Sequence, residues 1–156
     1  MYREPEVVWS DVEYLRARHL SLFSTALANQ MGMELTPAYR VVSSDRCAGH
    51  ADLVSKIGPK GDSFKLAGWA VDRLTRKPVK RIVLVAGDRI VGFAVSGFAR
   101  SDVATALHSN RAFHSGWVGY AKVPDETGTI DVYGILKSGE ANGSCPLATV
   151  GAGGPP

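Results

Sequence analysis

The run Cys47-Ala48-Gly49-His50-Ala51-Asp52 places a thiol, an imidazole and a carboxylate within one short stretch, the groups from which a nucleophilic triad is assembled. A triad works only where the three converge and the acid orients the base. Neighbours on an extended chain point alternately to opposite faces, so this run reads as strand rather than as machinery. A zinc site asks for four nitrogen or sulfur ligands, or three with an open position. Two distant cysteines and His19, His50, His108 and His114 at irregular spacing supply no such pattern, and neither a metal nor a cofactor is expected. Asp102, Asp125, Glu126 and Asp131 offer carboxylates, but no frame defines a pair of the kind glycoside hydrolysis needs. Asp102 with His114 is the best remaining acid/base couple. The glycines lie mostly in or beside strand-like runs, and none forms a phosphate loop that follows a strand and opens a helix. No enzymatic activity is expected.

The aromatic residues suggest recognition instead. Trp69, Trp117 and Tyr120 fall within strand-like segments, where an exposed ring can stack on the apolar face of a sugar. The competing reading for each is core packing, strongest for Trp69, whose run is apolar on both faces. Cys47 and Cys145 sit near the two ends of the β-rich region, each in a turn-like context where strands begin and end. Free buried cysteine is common in cytosolic proteins, but these positions favour a bridge, and a bridge places the domain in an oxidising compartment.

The chain has 156 residues, 45% hydrophobic and 21% charged, which suits one globular domain with an appendage and excludes a disordered chain. Its net charge of +3 is mild and its cations are scattered, so no nucleic-acid partner is expected. The one local basic cluster, Lys77 to Arg81, reads as a solvated turn. No run reaches the ~18 apolar residues of a membrane span, and the start lacks the basic and apolar regions of a signal peptide. The closing Gly151 to Pro156 reads as a tail or linker remnant.

Several elements must carry these residues. Ser10-Asp11-Val12-Glu13 is a capping box and opens a helix whose stripe includes Val12, Leu15, Leu22, Phe23, Ala26 and Leu27 at helical spacing, ending near Gly32. That stripe suits a protein partner, a membrane surface or the domain's own β core. Short strands are expected near 39–43 and 50–57, and a strand apolar on both faces over 64–71. Arg81–Ala86 and Arg89–Ser96, separated by Gly87-Asp88, form a hairpin. Ser101 or Asp102 caps a short helix over 101–107. Two further strands over 116–123 and 129–137 flank a turn at 124–128, with Ile130, Val132, Gly134 and Leu136 on the buried side. The spacing predicts a mainly all-β chain, an antiparallel sandwich of six to eight strands. Its divisions are a helical segment over 1–38, the sandwich over 39–150 and the tail.

Gly68-Trp69-Ala70-Val71-Asp72, Asp88-Arg89-Ile90-Val91-Gly92, Arg100-Ser101-Asp102-Val103-Ala104 and Gly116-Trp117-Val118-Gly119-Tyr120, in this order, resemble a bacterial extracytoplasmic β-sandwich domain. That domain occurs at the C-terminal end of polytopic membrane proteins of cell-envelope glycan metabolism, and related GWA-x-D stretches occur in secreted repeats. Cys47 and Cys145-Pro146-Leu147 resemble the bracketing cysteines of its membrane-attached form. Where that pattern has Arg-Pro-Asp-Val, this chain has Ser101 in place of the proline. The resemblance spans Cys47 to Leu147. It implies a non-catalytic accessory module on the periplasmic or outer side of a bacterial membrane, with partner docking or carbohydrate binding as its role. The partner is then another protein, the parent membrane domain or an envelope glycan, and the membrane is reached only through a flanking segment joined by the helix from Ser10 to Gly32.

Overall fold

In the computed structural model, the described residues are 30–41, 44–123, 128–138 and 141–151. The expected helix over Ser10 to Gly32, apart from its last residues, lies outside them. A single turn of helix, α1 (Leu35–Ala38), leads into β1 (Arg40–Val41) and a 3-10 turn (Ser44–Arg46). Then come β2 (Cys47–Ile57), β3 (Ser63–Asp72), β4 (Arg81–Ala86) and β5 (Arg89–Phe98). A short helix, α2 (Ser101–Ala106), and a 3-10 turn (Asn110–Ala112) separate these from β6 (Gly116–Lys122), β7 (Thr129–Ser138) and β8 (Ala141–Gly151).

All eight strands belong to one hydrogen-bonded sheet in the order β1-β8-β7-β4-β5-β6-β3-β2. Every pairing from β8 round to β2 is antiparallel, while β1 lies parallel to the start of β8. The sheet curls until β2, at one end, lies against β8, next to the other end. There Cys47 and Cys145 form a disulfide across a sequence separation of 98. The all-β, antiparallel architecture expected from the sequence is therefore present, as one nearly closed sheet wrapped around one core.

Alternation builds that core. Phe64, Leu66 and Ala70 of β3, Ile82 and Leu84 of β4, Trp117 and Ala121 of β6, and Ile130 and Val132 of β7 meet in the interior with both cysteines. The hairpin β4–β5 turns at Gly87, whose φ of +64° suits a Gly-first turn. β4 is buried on both faces because its outward Val83 and Val85, with Ile90 and Ile135, are covered by Leu35 and Tyr39 of the N-terminal strap. The strap is tied down by Gly32 N–H donating to the Ile90 carbonyl at 2.8 Å and Leu35 N–H to the Asp88 carbonyl at 2.9 Å. A third apolar group, Val71, Val103 and Ala112, seats α2 on the outside of β3.

Two local expectations are corrected. Neither Ser101 nor Asp102 is the N-cap: the cap position is Arg100, and α2 begins at Ser101. The Asp102 carboxylate is drawn to the Arg100 guanidinium instead. Cys145 does not stand in a turn but inside β8, an 11-residue strand with the turn-like composition Asn-Gly-Ser-Cys-Pro. Pro146 is tolerated there because β8 gains a ladder neighbour beyond β7 only at Gly143 and Ser144, and because its register against β7 slips at Pro146 and Ala148.

Chain-entropy reasoning for a loop of this length gives about 4–5 kcal/mol for the bridge, and realised values are often smaller. The Cys47→Ala/Cys145→Ala protein is expected to lose about 3–5 kcal/mol in urea unfolding, and the native unreduced protein should resist alkylation by intact mass. Two freely alkylated thiols would contradict the bridge.

Candidate functional site

The sequence run that suggested a triad is dismantled by the fold. The Cys47 sulfur is bonded to Cys145 inside the core. His50 is exposed on β2. Asp52 stands at the register shift between Ala51 and Leu53, and its carboxylate accepts from Arg100 Nη1. A bulge re-aims a side chain out of the strand's alternation, and here it turns Asp52 toward α2.

Arg100 is the hub of this corner. Its Nε donates to Asp102 Oδ1 at 2.9 Å and its Nη2 to Asp102 Oδ2 at 2.6 Å, so one guanidinium spans β2 and the first turn of α2. The bidentate bond from Arg100 holds the Asp102 carboxyl down at about 2, and Asp102 in turn raises the pKa of Arg100. A general acid or base near neutral pH needs a value near the working pH, so Asp102 is a structural anion here. His114, its suggested partner, places Nδ1 3.2 Å from the Gly97 carbonyl.

A second brace sits at Asp72. Arg46 donates to both of its carboxylate oxygens, each at 3.0 Å, and the Leu74 N–H donates to Oδ1 at 2.9 Å. Burial pushes the Asp72 carboxyl up, but those hydrogen bonds and the Arg46 charge outweigh it and hold it below the usual carboxylate range. With this the GWA-x-D stretch acquires a structural account. A Cβ on Gly68 would stand 1.9 Å from the His50 carbonyl oxygen and 2.8 Å from the Trp117 ring. Only glycine lets β2, β3 and that indole come so close. Ala70 faces the core, Trp69 and Val71 pack under α2, and Asp72 caps the following turn.

The three candidate aromatics separate by environment. Trp117 is 1% exposed and part of the core, so its ring is not a surface platform. Trp69 is partly covered, packed against Val71, Val103 and Ala112. Tyr120 is 46% exposed on the outer face. The register then shows what surrounds it. Leu53, Ala67, Val118 and Val95 are successive cross-strand partners over β2, β3, β6 and β5, and Tyr120 stands between Lys65 and Phe93 in a neighbouring row. Leu53 is 45% and Val95 56% exposed. The strap covers the outside of β4 and α2 covers one end of β3, which among the described residues leaves this apolar strip as an open part of the outer sheet face. The stripe residues Val12, Leu15, Leu22 and Phe23 lie outside the described residues. Leu53, Val95 and Phe93 were not singled out in the sequence, because which face of a strand is left open depends on what packs across it.

Among the described residues no three His, Cys, Asp or Glu side chains gather as a metal site would need. Two surface depressions, one over β7 and β8 and one beside α2, have no acid/base pair among their lining residues; Asp131 in the first accepts from Thr149 Oγ1 at 2.6 Å. Compared with protein-family models, curated proteins and solved structures, the chain matches none.

Because Asp72 has a lower value folded than unfolded, the unfolded chain binds more protons between those values. The brace therefore adds stability above about pH 4, and that stability is lost as the pH falls through the folded value. Melting temperature is expected to drop on acidification below about pH 4, with Arg46→Ala flattening that dependence. Carboxyl NMR should place the Asp102 midpoint at about 2; a midpoint in the ordinary carboxylate range would break the account of the Arg100 corner.

Proposed function

We propose that this domain is a non-catalytic docking and assembly module on the extracytoplasmic side of a bacterial envelope, and that its own chain supplies the partner surface. The observation that carries the reading is the open strip of Leu53, Ala67, Val118 and Val95 beside Tyr120 and Phe93. Four strands spaced about 4.8 Å apart make it roughly 15 Å wide, and a tyrosine anchor among aliphatic neighbours is the composition of an interface centre. Lys65 and Arg81 stand at its margins. Val12, Leu15, Leu22 and Phe23, at helical spacing in the sequence, would supply the complementary apolar stripe from a second copy, so copies that exchange the two would satisfy both. The disulfide supports an oxidising compartment, in keeping with the extracytoplasmic domains that the GWA-x-D stretch resembles.

The catalytic alternatives lose their best groups to the ion pairs of Arg100 and Arg46. A glycan reading rests on Tyr120 beside Lys65 and is the second choice, since Trp117, the larger ring, is enclosed.

Sedimentation velocity over a concentration series is expected to show reversible association of the chain, weakened at least tenfold by Val95→Glu on the strip and likewise by Leu22→Glu on the stripe, with the disulfide intact in both. A monomer at every concentration would remove the assembly reading. A saturable, millimolar saccharide titration read at the Tyr120 amide and unaffected by Leu22→Glu would put the glycan reading in its place.

A further inference from the structure

The link from β3 to β4, residues 73–80, reads Arg-Leu-Thr-Arg-Lys-Pro-Val-Lys, with four cations and no acid. It is not a loose connection. Besides the Asp72 cap on Leu74, the Asp72 carbonyl accepts from Arg76 N–H at 2.7 Å, and Asp72 N–H donates to the Lys77 carbonyl at 2.9 Å. Val79 is fully buried and its N–H donates to the Ala70 carbonyl at 3.0 Å. Arg73 Nε reaches the Cys47 carbonyl at 3.0 Å and Arg76 Nη1 the Leu107 carbonyl at 2.7 Å. Arg76 holds φ +56°, a conformation that a non-glycine residue keeps only where its surroundings impose it.

This braced turn holds Leu74 outward. At 74% it is the most exposed of the large apolar side chains among the described residues. On the same link, Arg73, Arg76, Lys77 and Lys80 have no carboxylate partner among the described residues. The two arginines meet only neutral carbonyls, and each keeps part of its guanidinium fork free. Exposed Phe98 and Phe113 stand at the same end of the sheet, where Ser96 Oγ donates to the Lys80 carbonyl and Arg100 N–H to the Phe113 carbonyl.

A braced apolar tip on a link whose four cations have no carboxylate partner among the described residues matches a surface that is anionic outside and apolar just beneath. The interface of an anionic bilayer is such a surface: its phosphates take the cations and its acyl boundary takes the leucine. A soluble polyanion without apolar surface would use the cations and leave Leu74 in water. We propose that the disulfide end of this domain rests on an anionic bilayer surface, with Leu74 in the interface and Arg73, Arg76, Lys77 and Lys80 among lipid phosphates. This surface is distinct from the open strip on the outer face, and neither proposal depends on the other.

Flotation of the full chain with phosphatidylcholine vesicles, with and without phosphatidylglycerol, tests it. Binding is expected only with the anionic lipid, and it should fall as salt rises. Lys77→Gln/Lys80→Gln should weaken binding roughly thirtyfold, at about fivefold per charge. Leu74→Ser should weaken it about tenfold while the preference for anionic lipid remains. Both lysine side chains are exposed and only their backbone atoms are bonded, so the fold tolerates these changes. Absence of binding, or binding untouched by the double lysine variant, overturns the proposal. Binding that needs the lysines but ignores Leu74→Ser, and is abolished by soluble polyphosphate, overturns it in favour of an acidic macromolecular partner.

Discussion

The closure of the sheet between β2 and β8 is the constraint on which the rest of the structure depends. An even number of antiparallel steps leads from β8 through β7, β4, β5, β6 and β3 to β2, so β8 and β2 run in the same direction. They cannot complete the antiparallel ladder that links the others, and no hairpin can join them. The chain answers with a covalent tie. Cys47 is the first residue of β2 and Cys145 lies in β8, with Cα atoms 6.0 Å apart. β1 pairs with Gly143 and Ser144, immediately before Cys145, and the 3-10 turn at Ser44–Arg46 leads from it into β2. A Cβ on Gly134 would come within 3.4 Å of both sulfurs, so β7 packs closely under the bridge. An open sheet would instead expose two edges and the interior between them.

Once the sheet has curled, each strand has an inner and an outer face, and the outer face is covered in patches. The strap from Gln30 to Val41 protects β4 and its neighbours, and α2 protects the end of β3. These coverings explain why β4 is apolar on both faces and why β3 is apolar where α2 lies. They also define, by what they leave bare, the strip across β2, β3, β6 and β5. The docking surface proposed for this domain therefore lies where the second layer is incomplete among the described residues.

Arginine–carboxylate pairs fasten this end of the sheet. Arg100 joins Asp52 of β2 to Asp102 of α2, and Arg46 joins the turn before β2 to the end of β3. Such pairs are worth little when fully solvated; their value here is geometric, since each fixes a turn whose backbone N–H groups also need an acceptor. Tyr39 belongs to the same class of fastening. Burial raises its pKa, and its hydroxyl donates to the Gln30 amide oxygen where the strap begins.

What the sequence by itself determined is local. Period-two alternation over 129–137, the β-branched runs around Gly87-Asp88, and the apolar stretch 64–71 mark strands because side-chain direction repeats along a strand without help from the rest of the molecule. Arg81–Ala86 and the turn after it were readable for that reason. Strand β8 was not, since Asn142, Gly143 and Pro146 have turn chemistry and only pairing with β7 and β1 makes them a strand. The tertiary structure alone decided that Trp117 is enclosed while Tyr120, three residues on and pointing the other way, is open. It also decided that Asp52 serves Arg100 and that Leu53 and Val95 share one surface. Those outcomes depend on which distant segments pack against each face, and that information is carried by long-range contacts that no local pattern of residues encodes.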